Sequence, residues 1–101
     1  TWSDIFLRMK GMGSLRRSTI SIPSNIAEGH ARNSDKEFFH FLSISRGSAA
    51  ELQTQLILGI KIGYFTETTC NPLIQEIVEI DKMLCGLMRF IKQDINKQAE
   101  I

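Results

Sequence analysis

Two histidines and several glutamates are the residues of this 101-residue sequence most able to do chemistry, but their spacing assembles no site. His30 and His40 are not at the spacing of metal ligands, and no cysteine or paired carboxylate joins them. A di-iron bundle would need carboxylates and histidines that project inward from several helices. The glutamates available for such a set are Glu28, Glu51, Glu76 and Glu79. We predict instead a protein that is not an enzyme and that holds no metal or cofactor.

Basic residues are concentrated in the first half of the chain. Up to Arg46 the sequence has seven Lys/Arg and four Asp/Glu, although its net charge is only +1. Guanidinium groups suit phosphate because their fork of donors matches its oxygens. The residues predicted to form such an anion-binding surface are Arg16, Arg17, Arg32 and Lys36. The same residues also fit an ordinary solvated surface, and both interpretations stay open.

Two runs rich in small residues, at 21–29 and 46–52, indicate a close crossing of two helices. Glycine inside a helix costs on the order of 1 kcal/mol relative to alanine, and a close backbone approach normally offsets that cost. The residues predicted at this crossing are Pro23, Ala27, Gly47 and Ser48.

Polar side chains in and beside the same runs predict pairs across the crossing. They are Asn25, Glu28, Arg46, Glu51 and Gln55. Arg46 is expected to pair with a buried carboxylate, either Glu28 or Glu51. The set forms either a hydrogen-bond network that specifies the fold or a polar groove that faces a ligand.

Apolar residues recur every three or four positions, which predicts helices rather than strands. One helix covers about 14–31, where Pro23 either kinks it or breaks it at a new cap on Ser21. The continuous apolar face favours one kinked helix. Before it, Trp2, Ile5, Phe6 and Met9 form a stripe of at most two helical turns, which ends at the glycines of 11–13.

The next helix begins at a capping box formed by Ser34 and Glu37 and ends at Gly63. Its predicted buried seam is Phe38, Leu42, Ser45, Ala49, Leu52, Leu56, Gly59 and Gly63. The last helix begins either at Thr66 or at Asn71, where Pro72 would take the first helical position. Its predicted seam is Leu73, Ile77, Ile80, Leu84, Leu87 and Ile91.

Composition places the chain among ordinary single-domain proteins, with one helical domain over 1–101. There is no apolar run of membrane-spanning length and no secretory signal pattern. Cys70 and Cys85 fit neither a disulfide framework nor a metal spacing, so we predict reduced residues of a cytoplasmic protein. The sequence does not begin with methionine, so we expect it to be a trimmed or partial form of the protein.

An ordered string of motifs carries a family resemblance from about Leu15 to Met88. Its parts are Arg16-Arg17, 21–29, Arg32, Ser34, Glu37-Phe38, 46–48, Glu51-Leu52, Gln55-Leu56 and Gly63-Tyr64. The sequence resembles the four-helix-bundle family of 23S rRNA intervening-sequence proteins. It departs from the family pattern at Ala50 and Gln53, and the long first helix of the family is not visible in 1–13, so that helix is expected to be short or missing here.

The resemblance implies an all-α fold, an antiparallel up-and-down four-helix bundle. The family is also similar to the accessory protein of diversity-generating retroelements, a ring-forming pentamer that binds nucleic acid and a reverse transcriptase. By analogy it implies a bacterial homopentamer that binds RNA or DNA. Our prediction is an oligomeric bundle associated with RNA through arginine–phosphate contacts. The alternative is a protein–protein scaffold with no nucleic-acid role.

Overall fold

The fold is described by a computed structural model, which covers residues 13–100. Within this range the chain forms three α-helices and no strand: α1 (Gly13–His30), α2 (Asp35–Lys61) and α3 (Glu67–Ala99). The all-α prediction is confirmed for this part of the chain, and three of the four predicted helices are present. The predicted stripe of Trp2, Ile5, Phe6 and Met9 lies outside the described residues.

The beginning and end of α2 follow local signals. Ser34 accepts a hydrogen bond from the Glu37 amide at 3.2 Å, and its hydroxyl donates to the Glu37 carboxylate at 3.3 Å. At the other end Gly63 has φ of +80°, the left-handed conformation that glycine adopts without strain. The Tyr64 amide then donates back to the Gly59 carbonyl at 2.8 Å. Both predicted boundaries of α2 are therefore confirmed.

Thr66 caps α3, which begins at Glu67, so the alternative start at Asn71 is wrong. The Thr66 hydroxyl accepts from the Thr69 amide at 3.3 Å. The extra turn carries Cys70 into the core, where its side chain is fully buried. Pro72 therefore lies inside the helix, where it has no N–H to donate to the Thr68 carbonyl.

Helix α1 runs unbroken through Pro23, as the favoured interpretation predicted. The missing proline N–H leaves the Thr19 carbonyl without its usual helical donor. Thr19 lies on the open side of the bundle, where it lines a groove.

Helix α2 is the centre of the bundle and packs along both of its neighbours, whereas α1 and α3 barely approach each other. Ser45 meets Ile22 of α1, and Arg46 meets Asp81 of α3. The three helices alternate in direction: the end of α1 meets the start of α2 at Gly29 and Phe41, and the end of α3 meets it at Gln98 and Asp35. The buried residues of α2 are Leu42, Ser45, Ala49, Leu52, Leu56 and Gly59, all of which belong to the predicted seam.

The crossing of α1 and α2 is closed by serine hydroxyls. The Ser45 hydroxyl, fully buried, donates to the Ile22 carbonyl at 2.9 Å. The Ser48 hydroxyl donates to the Ser21 hydroxyl at 2.8 Å, so Ser48 does lie at the crossing. Asn25 braces this contact from within α1, because its amide donates to the Ser21 hydroxyl and carbonyl, each at 2.8 Å.

Three other residues predicted at the crossing lie elsewhere. Pro23 and Ala27 are exposed, and a Cβ built on Gly47 would meet no atom within 4 Å. The glycine that does permit a close approach is Gly29, whose Cβ would lie 2.7 Å from Cβ of Phe41. The prediction of Gly47 at the crossing is wrong because Ser45 and Ser48 point toward α1, which turns Gly47 outward.

These two glycines form a matched pair for mutation. We expect Gly29→Ala to lower the free energy of unfolding by about 1 kcal/mol or more, because the added methyl overlaps Phe41. We expect Gly47→Ala to raise it by up to about 1 kcal/mol, because alanine is the better helix former at an open position. Chemical denaturation of both variants checks this, and a destabilised Gly47→Ala would contradict the open placement.

Candidate nucleic-acid interface

The strongest candidate for an anion-binding surface is the pair of arginines in the first turns of α1. Arg16 and Arg17 are consecutive and exposed. Within residues 13–100, no carboxylate forms an ion pair with either guanidinium. Arg17 folds back toward the start of its helix, with Nη1 beside Gly13. Charge and exposure at this place are what a phosphate contact requires.

A small polar groove adjoins Arg17 between α1 and α2. Its volume is about 180 Å³, and its lining is Arg17, Ser18, Ser21, Ser48 and Glu51. Hydroxyl groups and a guanidinium can donate to phosphate oxygens, whereas the Glu51 carboxylate repels them. The groove is therefore suited to anions on its Arg17 side only.

Arg32 and Lys36, the other two predicted phosphate ligands, lie at the opposite end of α1. Arg32 is 16 residues beyond Arg16, which corresponds to about 24 Å along a helix. Its guanidinium forms an ion pair with Glu28 and lies over the Phe41 ring, 5.1 Å from the centroid. The four predicted residues therefore do not form one surface: Arg16 and Arg17, which form no ion pair within residues 13–100, are separated from Arg32, whose charge is partly neutralised by Glu28.

The predicted polar network does not form. No described hydrogen bond joins any two of its five members. Glu28 pairs with Arg32, Arg46 pairs with Asp81, and Asn25 bonds within α1. Glu51 is exposed, and the buried Gln55 Oε1 has no hydrogen-bond partner in the part of the chain described.

Arg46 links α2 to α3 rather than to α1. Its Nε donates to Asp81 Oδ1 at 2.8 Å, and a second nitrogen donates to Oδ2 at 3.3 Å. This hydrogen bond and the attraction of the carboxylate raise the pKa of Arg46 above its ordinary value. The side chains of Arg46 and Asp81 are 44% and 36% exposed. The prediction that Arg46 pairs with a buried Glu28 or Glu51 is therefore wrong.

Because this pair is exposed, its contribution to stability should be small. We expect Arg46→Met to lower the free energy of unfolding by about 0.2–1 kcal/mol, and less at high salt. Lys82→Met, which removes a more exposed pair with Glu79 at 3.5 Å, is the matched control and should have a smaller effect. Denaturant titration checks both variants, and a loss of 3 kcal/mol or more by Arg46→Met would mean a buried pair.

Two further exposed basic residues, Arg89 and Lys92, were missed by the sequence analysis. They lie three positions apart, on neighbouring positions of the α3 surface. Counting charge by halves of the chain concealed them, because acidic residues earlier in α3 balance the total. A charge count by helix segment would have found them.

The described residues include no group of side chains that could hold a metal ion. Glu37 and His40 have the Glu-x-x-His spacing found in di-iron bundles. However, no group of three His, Cys, Asp or Glu in 13–100 could hold a metal ion. His30 and His40 place their rings against Phe38 and Phe41, with centroids 5.9 and 5.6 Å apart. None of the three helices combines the length and apolarity needed to cross a membrane.

Comparison with known proteins identifies the class to which this helical bundle belongs. The sequence pattern of the 23S rRNA-intervening sequence proteins matches residues 10–86, which include α1, α2 and most of α3. The chain belongs to this family. No curated protein matches the sequence.

Proposed function

We propose that the chain is a non-enzymatic, oligomeric four-helix-bundle protein that associates with RNA through arginine–phosphate contacts. The observation that carries this proposal is the exposed Arg16–Arg17 pair on α1, which forms no ion pair within residues 13–100, in a family linked by its name to 23S rRNA. Two neighbouring guanidinium groups that pair with no carboxylate in the described part of the chain can bind phosphate oxygens.

Electrostatics determines what kind of recognition such a surface provides. Backbone phosphates are the same for every sequence, so these contacts give affinity without base specificity. Base reading would need further donors and acceptors aimed at base edges. We therefore expect RNA and DNA of different sequences to bind with similar affinity.

A direct binding assay tests this function. Fluorescence anisotropy with single- and double-stranded RNA and DNA, each at low salt, should detect binding of the parent protein. Absence of binding to all four probes would contradict the proposal and support the scaffold alternative.

The scaffold alternative has its own support in the pairing of charges and the exposure of apolar side chains. Arg32 and Arg46 are committed to carboxylates, as a protein without a nucleic-acid role would have them. Large apolar residues are exposed along the bundle, among them Ile20, Leu58, Met83 and Phe90. Faces of this kind commonly mediate protein–protein contacts.

Both functions require self-association, which is a separate prediction. We expect light scattering at micromolar concentration to give a mass several times that of one chain, with five copies in the assembly by resemblance. The physical reason is burial of the exposed apolar side chains, which stabilises by about 25 cal/mol per Å². The mass of a single chain would contradict this prediction.

The proposal also implies a cellular location. An RNA partner and two unbridged cysteines suit the cytoplasm. A reverse transcriptase is proposed as a protein partner only by analogy with the accessory protein of diversity-generating retroelements.

A further inference from the structure

Aromatic rings cluster where the turn after α1 meets the start of α2. The His30 ring lies edge-on to Phe38, with centroids 5.9 Å apart, and the His40 ring lies edge-on to Phe41 at 5.6 Å. The Arg32 guanidinium lies over the Phe41 ring, 5.1 Å from its centroid. Arg32 and both histidines are exposed, whereas the two phenylalanines are half-buried. The cluster therefore presents a guanidinium and two imidazoles to solvent, each placed against a phenyl ring.

Two contacts hold the Arg32 side chain in position. Its guanidinium forms an ion pair with Glu28 of α1 and lies against Phe41 of α2. Phe41 is in turn positioned by close packing on α1, because its Cβ lies where a side chain at Gly29 would lie. The Arg32 side chain is nevertheless 42% exposed, so it remains accessible to a ligand. A guanidinium that is already fixed loses less conformational freedom when a second flat group stacks on it.

The part of Arg32 that remains available determines which ligand it suits. Glu28 engages its N–H donors, which point outward at the edge of the guanidinium, and Phe41 lies against one of its faces. Binding at the opposite face requires a flat ligand, and unpaired nucleobases stack on guanidinium planes and aromatic rings in this way. We infer that Arg32, together with the neighbouring His40, stacks an unpaired base of single-stranded RNA. The bases of a duplex stack on one another and are not available for this contact.

A stripe along α1 connects this base site with the proposed phosphate site at Arg17. Arg17, Ser21, Ser24 and Glu28 follow at intervals of four, three and four, which places them on one helix face, and Arg32 pairs with Glu28 at the far end. Arg17 and Arg32 are 15 residues apart, or about 22 Å along a helix. Glu28 is the only acidic residue of α1, and its charge is offset by Arg32. A strand bound at both ends lies within the usual span of single-strand sites, about 4–16 nucleotides.

Arg32→Lys separates stacking from charge, because lysine keeps the positive charge but has no flat surface. The probes are a labelled oligouridylate of about 12 nucleotides and the same strand annealed to oligoadenylate. We expect the parent protein to bind the single strand more tightly than the duplex. Arg32→Lys should weaken single-strand binding about fivefold or more and leave duplex binding unchanged. His40→Ala should act in the same direction.

Arg17→Lys is the matched control, made at the other end of the stripe. Lysine contacts phosphate as a point charge, so this variant should retain most of the parental affinity for both probes. Thermal melting should show all variants folded like the parent, because the substituted side chains are exposed.

The inference rests on the proposed RNA association, and the two fail in different ways. Equal binding of single strand and duplex by the parent would overturn the inference while RNA association stands. Parental single-strand affinity in Arg32→Lys would also overturn it, because a charge alone would then suffice. Absence of binding to either probe would overturn the proposed function and this inference together.

Discussion

Reversing both arginines at the start of α1 is expected to remove RNA binding while leaving the fold intact. In Arg16→Glu/Arg17→Glu, two phosphate contacts become two repulsive charges. Each lost contact should lower the slope of log affinity against log salt by about one. The fold should survive, because exposed charges contribute little to stability. Anisotropy titration of a labelled RNA measures the first effect, and thermal melting measures the second.

Lys82→Glu/Lys97→Glu is the matched control for this double variant. It changes the net charge equally, but at exposed positions of α3 that have no part in the proposed phosphate contacts. We expect it to retain most of the parental affinity. Equal loss in both variants would mean that only overall charge matters, and undiminished binding by the Arg16/Arg17 variant would exclude this surface.

Gly59→Leu is expected to have the largest effect on stability. Gly59 lies where the end of α2 meets the loop before α3, and a Cβ there would be 2.4 Å from Cδ2 of Phe65. The Phe65 ring is itself buried in the core and cannot move aside without opening it. We expect a loss of about 3 kcal/mol or more in the free energy of unfolding, measured by denaturant titration.

Gly86→Leu provides the comparison for that variant, because Gly86 is a helical glycine with no atom within 4 Å of a built Cβ. Leucine is a good helix former, so this change should leave stability unchanged or slightly raised. Similar destabilisation in both variants would contradict this account, because only Gly59 has Phe65 within contact of an added side chain.

Features that depend on neighbouring residues in the chain were predicted well from the sequence. The capping box at Ser34 and the end of α2 at Gly63 need only short-range chemistry, and both are present. The seam of α2 was also predictable, since burial follows the helical period once one buried position is fixed. At α3 two caps were available, and the helix that starts at the earlier one buries Cys70, a tertiary contact that no local signal indicates.

Side-chain pairing between helices could not be predicted, because it depends on how α2 is rotated about its axis. Successive residues of a helix differ by about 100° in direction. Since Ser45 faces α1, Arg46 faces α3 and meets Asp81, whereas a different rotation would have brought it to Glu28. The same rotation turns Gly47 to the open side and leaves Gly29 as the glycine of close approach.

The salt dependence of RNA binding by the parent protein tests the central claim most directly. Phosphate contacts release counterions, so the account predicts that affinity falls steeply and linearly in log–log form as salt is raised. It also predicts nearly the same slope for RNAs of unrelated sequence. An affinity that is indifferent to salt, or that belongs to one sequence alone, would contradict recognition through Arg16 and Arg17.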